Sequence, residues 1–338
     1  MRRDRTRLED LAKAAGVSIA TASRSLNNSP AVNEETKKRI WKLAREMNYN
    51  FRPSMPALIS SSSSTIAIVM PPPSGRRDQA SDPFHQELIA GISEAARDVG
   101  CDVLITHITL NDPNDLNTLM TANRADGIIF LGQSAYHEHF NKLAETQNRF
   151  IVWGAELPDQ NYCSIGSDNV RGGQRATAHL ITMGRRRIAF IGTTESAEAR
   201  QRFAGYLAAH QNAVVDVDPA LIVSASFEIE SAEAATDKLI SSGINFDGVV
   251  ASSDLVALGA IRSLSRAKIR VPEHVSVVGY DNIQLAAYTQ PALTTISQDL
   301  AKAGRLMVSK ILASGDGGPM RSERLPTDLL VRESCSVN

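Results

Sequence analysis

The run Ser18-Ile19-Ala20-Thr21-Ala22-Ser23-Arg24 gathers side chains suited to one kind of chemistry, the recognition of a nucleic acid duplex. The hydroxyls of Ser18, Thr21 and Ser23 can donate to phosphate oxygens. The Arg24 guanidinium can reach O6 and N7 of a guanine, and Ile19 and Ala20 offer only apolar contact, of the kind a thymine methyl accepts. A major groove about 12 Å wide admits a helix whose outer face is small, and this face is small. The N-terminus of such a helix adds its own positive end toward phosphate.

These residues need a scaffold, and the flanking sequence supplies one. Leu8, Leu11, Ala12 and Ala15 fall at i, i+3, i+4 and i+7, the stripe of an amphipathic helix. Gly16 can take the left-handed conformation that ends it, with Val17 packing back. Ser18 is a good N-cap for a second helix, expected over about Ser18–Asn27, with Ala22 and Leu26 inward. Asn33 then caps a third, NEETKKRIWKLAREMNY, whose stripe is Ile40, Leu43, Ala44 and Met47. Three short helices with a tight glycine turn between the first two make a helix-turn-helix. Charge agrees. Residues 1–63 hold 12 Lys and Arg against 6 Asp and Glu, and of the chain's totals of 36 and 37 this leaves 24 against 31 for the rest. A basic head on an acidic body suits a polyanionic partner.

Length and composition bound the rest. A chain of 338 residues is right for two or three domains, and 43% hydrophobic with 22% charged residues fits a soluble globular protein. No apolar run approaches a membrane span, and the start MRRDRTRLEDLAKA lacks the apolar centre of a signal peptide, so the expectation is a cytoplasmic protein without membrane contact. Cys101, Cys163 and Cys335 are scattered and show no CxxC spacing. They are expected to be small hydrophobes with a loose thiol at the C-terminal end, not disulfides or zinc ligands. The seven histidines have no metal spacing; His137 and His139, two apart on a polar stretch, are expected at the surface. No GxGxxG follows a strand and no GxxxxGK[ST] occurs, so dehydrogenase and P-loop chemistry find no support, and neither an enzyme nor a cofactor is expected.

From Thr65 the texture changes to strands alternating with helices. TIAIVM, DVLITH, DGIIFLG and FIVWG are short apolar runs, with HQELIAGISEAARDVG and DLNTLMTAN as intervening helices. A second set follows: RIAFIGT, ALIVSAS, FDGVVAS and VSVVGYD, separated by ARQRFAGYLAAH, SAEAATDKLISSG and SDLVALGAIRSLSRA. Such alternation means parallel sheets covered on both faces, and two runs of it mean two doubly wound subdomains. The tail LTTISQDLAKAGRLMVSKIL, then LLVRES, is expected to cross between them.

The segment LEDLAKAAGVSIATASRSLNNSPAVNEETKKRI resembles the DNA-binding head of the LacI/GalR family of bacterial transcriptional regulators, matching its AGVS, its T-x-S-R core and the Asn27 position, with MNY standing for LGY. The resemblance extends through the body, whose pattern is that of the family's periplasmic-binding-protein-like core. It implies an all-α helix-turn-helix domain at 1–50 and a hinge and linker at 51–64. An α/β effector-binding and dimerisation core follows at 65–338. Its N-subdomain covers about 65–166 and 297–324, its C-subdomain about 167–296 and 325–338. It also implies a regulator, expected to be a repressor, that binds an inverted-repeat double-stranded operator as a homodimer under control of a small-molecule effector, a sugar or sugar derivative. A periplasmic-type solute-binding protein without regulatory DNA binding is the alternative. In the family Ile19 and Ala20 are the main choosers of operator sequence. Leu58, eight residues before Ile66, is at the place of the hinge leucine that wedges into the minor groove. Pro53 and Pro56 depart from the pattern, and Pro56 would fall inside the hinge helix, where it is tolerated only in the first turn.

The resemblance also carries effector positions. SDPFHQEL puts Phe84 either at the cleft mouth or in the core. EARQRFAGYL makes Arg202 the clamp on a hydroxyl or carboxylate, with Arg200 as a surface charge. SASFEIES places Phe227 at an aromatic position, and VVGYDN makes Asp281 the acceptor of paired hydroxyls. Ser253 in SDLVALG replaces a family asparagine that donates to the ligand. WGAELP lacks the family's Asp–Arg pair and carries Trp153 beside the gap. Asp168 and Asn169 match a family pair that serves either hinge or ligand. Effector identity, and whether it induces or corepresses, are left open by these residues.

Overall fold

The structure, a computed structural model, describes residues 8–26, 32–47, 64–70, 82–107, 125–133, 136–314 and 320–335. It divides into two units, Met1–Ser63 and Ser64–Asn338. DLNTLMTAN, Asn27, Pro53, Pro56 and Leu58 all lie outside the described residues.

In the first unit, α1 is Leu8–Ala14, α2 Ile19–Leu26 and α3 Glu34–Glu46. The turn between α1 and α2 is closed by backbone geometry. Gly16 has φ +63°, its N–H donates to Lys13 O at 3.2 Å, and Val17 N–H donates to Ala12 O at 3.0 Å. This is the paired 6→1 and 5→2 closure of a glycine-ended helix, with Val17 packing against the cluster of Leu11, Ala15, Ile40 and Ala44. Ser18 Oγ accepts the Thr21 N–H at 3.1 Å and Asn33 Oδ1 accepts the Thr36 N–H at 2.8 Å, so both N-caps are formed.

The second unit holds two six-stranded sheets. The first, in order β11-β5-β4-β3-β1-β2, is built from β1 (Thr65–Met70), β2 (Asp102–His107), β3 (Gly127–Leu131), β4 (Phe150–Trp153), β5 (Ser164–Ser167) and β11 (Glu323–Leu325), all parallel. The second, in order β12-β10-β9-β8-β6-β7, contains β6 (Ile188–Ile191), β7 (Ile222–Val223), β8 (Gly248–Ala251), β9 (Ser276–Asp281), β10 (Thr294–Ser297) and β12 (Asp328–Leu330). Only its edge strand β12 runs antiparallel, against β10. The helices are α4 (Pro83–Asp98), α5 (His137–Ala144), α6 (Asn169–Thr182), α7 (Ala197–Ala213), α8 (Ile229–Ser241), α9 (Asp254–Arg266) and α10 (Leu300–Ala313). This is an α/β core of two doubly wound sheets.

The inner strands β1, β3, β4, β6 and β8 are apolar and buried because both faces are covered, whereas the edge strand β2 is largely exposed. In β6, Ile188 and Phe190 enter one cluster while Ala189 and Ile191 enter another; Val250 and Val249 in β8, and Val278 and Val277 in β9, divide the same way. In the first sheet Ile66, Ile68 and Met70 of β1 face one cluster and Ala67 and Val69 the other. Period-2 alternation sorts the side chains, and helices close each face. Glycines let some helices touch at the backbone. A Cβ on Gly173 of α6 would lie 2.1 Å from Arg202 O of α7.

The chain crosses between the lobes three times: from β5 into α6 near Asp168, from β10 into α10 at Gln298 and Asp299, and from β11 into β12 at Pro326 and Thr327. Cys335 departs from the expectation of a loose thiol. It is wholly buried, its Sγ donates to Val277 O at 3.3 Å, and burial pushes the thiol up to about 11. His137 and His139 are half-buried, not at the surface; His137 Nδ1 lies 3.0 Å from the Tyr162 hydroxyl.

Candidate functional site

The outer face of α2 is arranged for contact. Ile19 is 49% exposed, Ala20 and Arg24 are exposed, Thr21 and Ser23 are half-buried on the flanks, and Ala22 is buried. The Ser18 and Thr21 hydroxyls also share a 2.8 Å hydrogen bond, which orients both at the start of the helix. Arg24 lies in the last turn of α2.

The second constellation sits where strands end. Arg202 of α7 is only 7% exposed, and its guanidinium is fixed on several sides. Nε donates to Asn169 Oδ1 at 2.9 Å, Nη1 donates to Ser252 O at 2.6 Å, and Nη1 lies 3.4 Å from Asp281 Oδ1. The guanidinium carbon stands 3.7 Å over the Tyr280 ring, so a cation–π contact adds to the ion pair. Asp281 Oδ1 also accepts Gln298 Nε2 at 2.6 Å, Gln298 Oε1 accepts the Ser167 hydroxyl at 2.6 Å, and Asn169 Nδ2 donates to Ser167 O at 3.1 Å. The bonds close a circuit: Ser167, Gln298, Asp281, Arg202, Asn169 and back to Ser167. Two of the three interlobe crossovers belong to it.

Asp281 is held in an uncommon conformation, φ +117°, followed by Asn282 at +57°. Such backbone persists where its surroundings over-determine it. Asp254, wholly buried at the start of α9, does much of that. Its Oδ2 accepts the Ile283 N–H at 2.9 Å and its Oδ1 the Thr295 hydroxyl at 2.5 Å, while Arg332 Nη2 donates to Asn282 Oδ1 at 2.7 Å. Burial pushes the Asp254 carboxyl up to about 7 against the pull of these donors. The Asp281 carboxyl is also raised, first by burial and further by Asp254 and Asp82, although Arg202 and Gln298 favour its charged form.

Phe84 bridges the lobes. It packs against the apolar cores of both and lies 6.0 Å from the Trp153 ring at the end of β4. It therefore belongs to the packing of both cores. The lobes also touch directly, through the Gln284 N–H on Glu87 Oε1 at 2.6 Å and Gln201 Nε2 on Glu156 O at 3.2 Å. Phe227 is half-buried and packs on the second lobe's core. Ser253 is buried with its hydroxyl accepting the Val256 N–H at 3.3 Å, so it caps α9. Arg202 thus joins Asn169 and Asp281. Sequence reasoning passed over Gln298, Tyr280, Asp254 and Ser252; the only signal was their place at strand ends.

A helix-turn-helix unit and a two-lobed α/β core, with a buried polar circuit at the strand ends, define a DNA-binding regulator with a ligand-type core. Comparison with known proteins is specific. Residues 7–51 match the family model described as bacterial regulatory proteins, lacI family, and residues 177–335 match that of a periplasmic binding protein-like domain. The chain is 30% identical over 340 residues to the HTH-type transcriptional regulator DegA of Bacillus subtilis (strain 168), covering 98% of each. It is 30% identical over 313 residues to the HTH-type transcriptional repressor PurR of Aliivibrio fischeri (strain MJ11), covering 90% of each. The solved structure of a transcriptional regulator CelR–cellobiose complex matches with a TM-score of 0.71 at 28% identity, over 98% of this chain and 100% of that one. The chain belongs to the lacI family of bacterial regulatory proteins and is a DNA-binding transcriptional regulator. Among the described residues no helix is long and apolar enough to cross a membrane, and no group of three His, Cys, Asp or Glu could hold a metal ion.

Proposed function

We propose that the chain is a cytoplasmic repressor that binds an inverted-repeat operator as a homodimer and is controlled by a carbohydrate effector in the cleft of its core, with no catalytic turnover. Ser18, Thr21 and Ser23 take the phosphates, Ile19, Ala20 and Arg24 read base edges, and Arg202 and Asp281 take effector hydroxyls beside Phe84. Asn27 and Leu58 complete the DNA contacts in this reading, and Phe227 borders the effector. Two-fold operators call for two heads, one per half-site. The observation that carries the reading is the Arg202–Asp281 pair, buried at 3.4 Å and wired into the interlobe crossovers. A donor beside an acceptor suits two neighbouring hydroxyls, and an aromatic face suits a sugar ring. The cellobiose held by the related CelR supports the ligand class.

The test begins with selection of bound duplexes from a random library by the full chain. An inverted repeat is expected, and Arg24→Ala should cost about 1–3 kcal/mol on it and relax one base position. Selection that enriches no inverted repeat, or an Arg24→Ala variant that binds the repeat unchanged, overturns the groove assignment.

A further inference from the structure

Ser253 occupies the position where the family's asparagine meets ligand, yet its hydroxyl already caps α9. The residue before it is different. Ser252 is 1% exposed, and its Oγ is buried without a hydrogen-bond partner. Buried hydroxyls are nearly always paired, and an unpaired one calls for an explanation.

Its surroundings supply one. Strand alternation sends Ala251 to the face covered by α8 and α9, and Val250 to the face that holds Tyr206 and Tyr280. Ser252 continues on the latter side, beside Arg202, whose Nη1 donates to the Ser252 carbonyl at 2.6 Å. Opposite lies Gly192, just past the end of β6; a Cβ there would come within 2.3 Å of both Ser252 Cβ and Oγ. Glycine at 192 keeps open the space that the Ser252 hydroxyl occupies. The same serine therefore braces the guanidinium with its backbone carbonyl and keeps an unpartnered hydroxyl beside Gly192.

We propose that Ser252, not Ser253, is the serine of the second lobe that binds effector, its hydroxyl pairing with an oxygen of an uncharged polyhydroxylated ligand that also engages Arg202 and Asp281. The proposal rests on the reading of this cleft as an effector site. Charge favours an uncharged ligand: Arg202 is already paired with Asp281, and Asp82 adds negative potential around that carboxylate. An anionic ligand would have to displace Asp281 from its partner.

Thermal unfolding of the full-length wild type, Ser252→Ala and Ser253→Ala tests this, alone and with cellobiose, ribose, glucuronate or hypoxanthine in excess. A compound that binds only the folded form raises its melting temperature. Without additive, Ser252→Ala should melt at or above the wild-type temperature, because an orphan hydroxyl is removed. Ser253→Ala should melt about 2–4 °C lower through the lost cap. Whichever neutral sugar stabilises the wild type should bind Ser252→Ala about tenfold more weakly. A Ser252→Ala variant that melts several degrees lower makes the hydroxyl structural, and one that binds the sugar as wild type does removes it from the site; either overturns the proposal. Stabilisation by glucuronate alone overturns the uncharged class. A wild type that no sugar stabilises, or that hypoxanthine alone stabilises, refutes the carbohydrate reading itself and takes the role of Ser252 with it.

Discussion

Asp254→Asn gives the sharpest view of how Asp281 is held. The Asp254 carboxyl stands at about 7 in the folded chain against an ordinary value of 3.8. Between those values the folded protein keeps a proton that the unfolded chain has lost. The stabilisation is therefore complete below about pH 4 and disappears as pH rises through about 7. At about 1.4 kcal/mol per unit, roughly three units set a ceiling of about 4 kcal/mol. Asp281 is raised beside it, so the two carboxyls titrate as a pair and Asp254→Asn removes one of two steps. An amide mimics the protonated acid: its oxygen can accept the Ile283 N–H and, once the Thr295 hydroxyl turns its proton away, its NH2 can donate to that oxygen. Urea unfolding of the full chain at pH 5 and pH 8, followed by circular dichroism, is the assay. Asp254→Asn should stay within about 1 kcal/mol of wild type at pH 5 and gain on it by about 1–4 kcal/mol at pH 8. Asp254→Ala, which leaves the Ile283 N–H and Thr295 hydroxyl unpaired, should lose about 1–3 kcal/mol at both. Parallel pH dependences for wild type and Asp254→Asn would refute the claim that this carboxyl is held protonated under the Asp281 turn.

Two further outcomes follow from the same geometry. Gly173→Ala should lower stability by about 1–3 kcal/mol in thermal unfolding, because its Cβ would meet the Arg202 carbonyl at 2.1 Å and push α7 off α6; unchanged melting would mean the helices separate freely. Gln298→Glu replaces the amide that donates to Asp281 at 2.6 Å with a carboxylate. Like charges disfavour ionisation, so the variant should lose stability relative to wild type as pH rises from 5 to 8, measured in the same urea series.

Much of this was written locally in the chain. Gly16, Ser18 and Asn33 announce their turn and caps within three or four residues of their partners, so the head is legible from spacing alone. The apolar strands announce two covered sheets for the same reason. The polar circuit is not local: Ser167 and Gln298 are 131 residues apart, and no periodicity links them. The choice between Ser252 and Ser253 depends on which face of β8 each side chain takes, a matter of strand register rather than residue type. β12 has three residues, enough to mark a strand but not its direction. Cys335 reads as a loose end by position, yet its backbone N–H bonds to Arg332 O and its thiol is sealed under Val277.

The circuit also bears on how a ligand at Asp281 can influence the lobes. A ligand shifts a conformational equilibrium only by the difference in its affinity for the two states. Here that difference has an atomic source. Asp281 Oδ1 is shared by Arg202, from the second lobe, and Gln298, from the β10–α10 crossover, which in turn holds Ser167 at the end of β5. Any hydroxyl that competes for Asp281 therefore competes with the bond from Gln298, whose other end ties the two crossovers together. The outer contacts, Gln284 on Glu87 and Gln201 on Glu156, also span the lobes, so a rotation about those crossovers would strain them. Occupancy and lobe angle thus draw on one set of hydrogen bonds, and a substitution at Gln298 should change how strongly the two are linked without touching the ligand's apolar contacts.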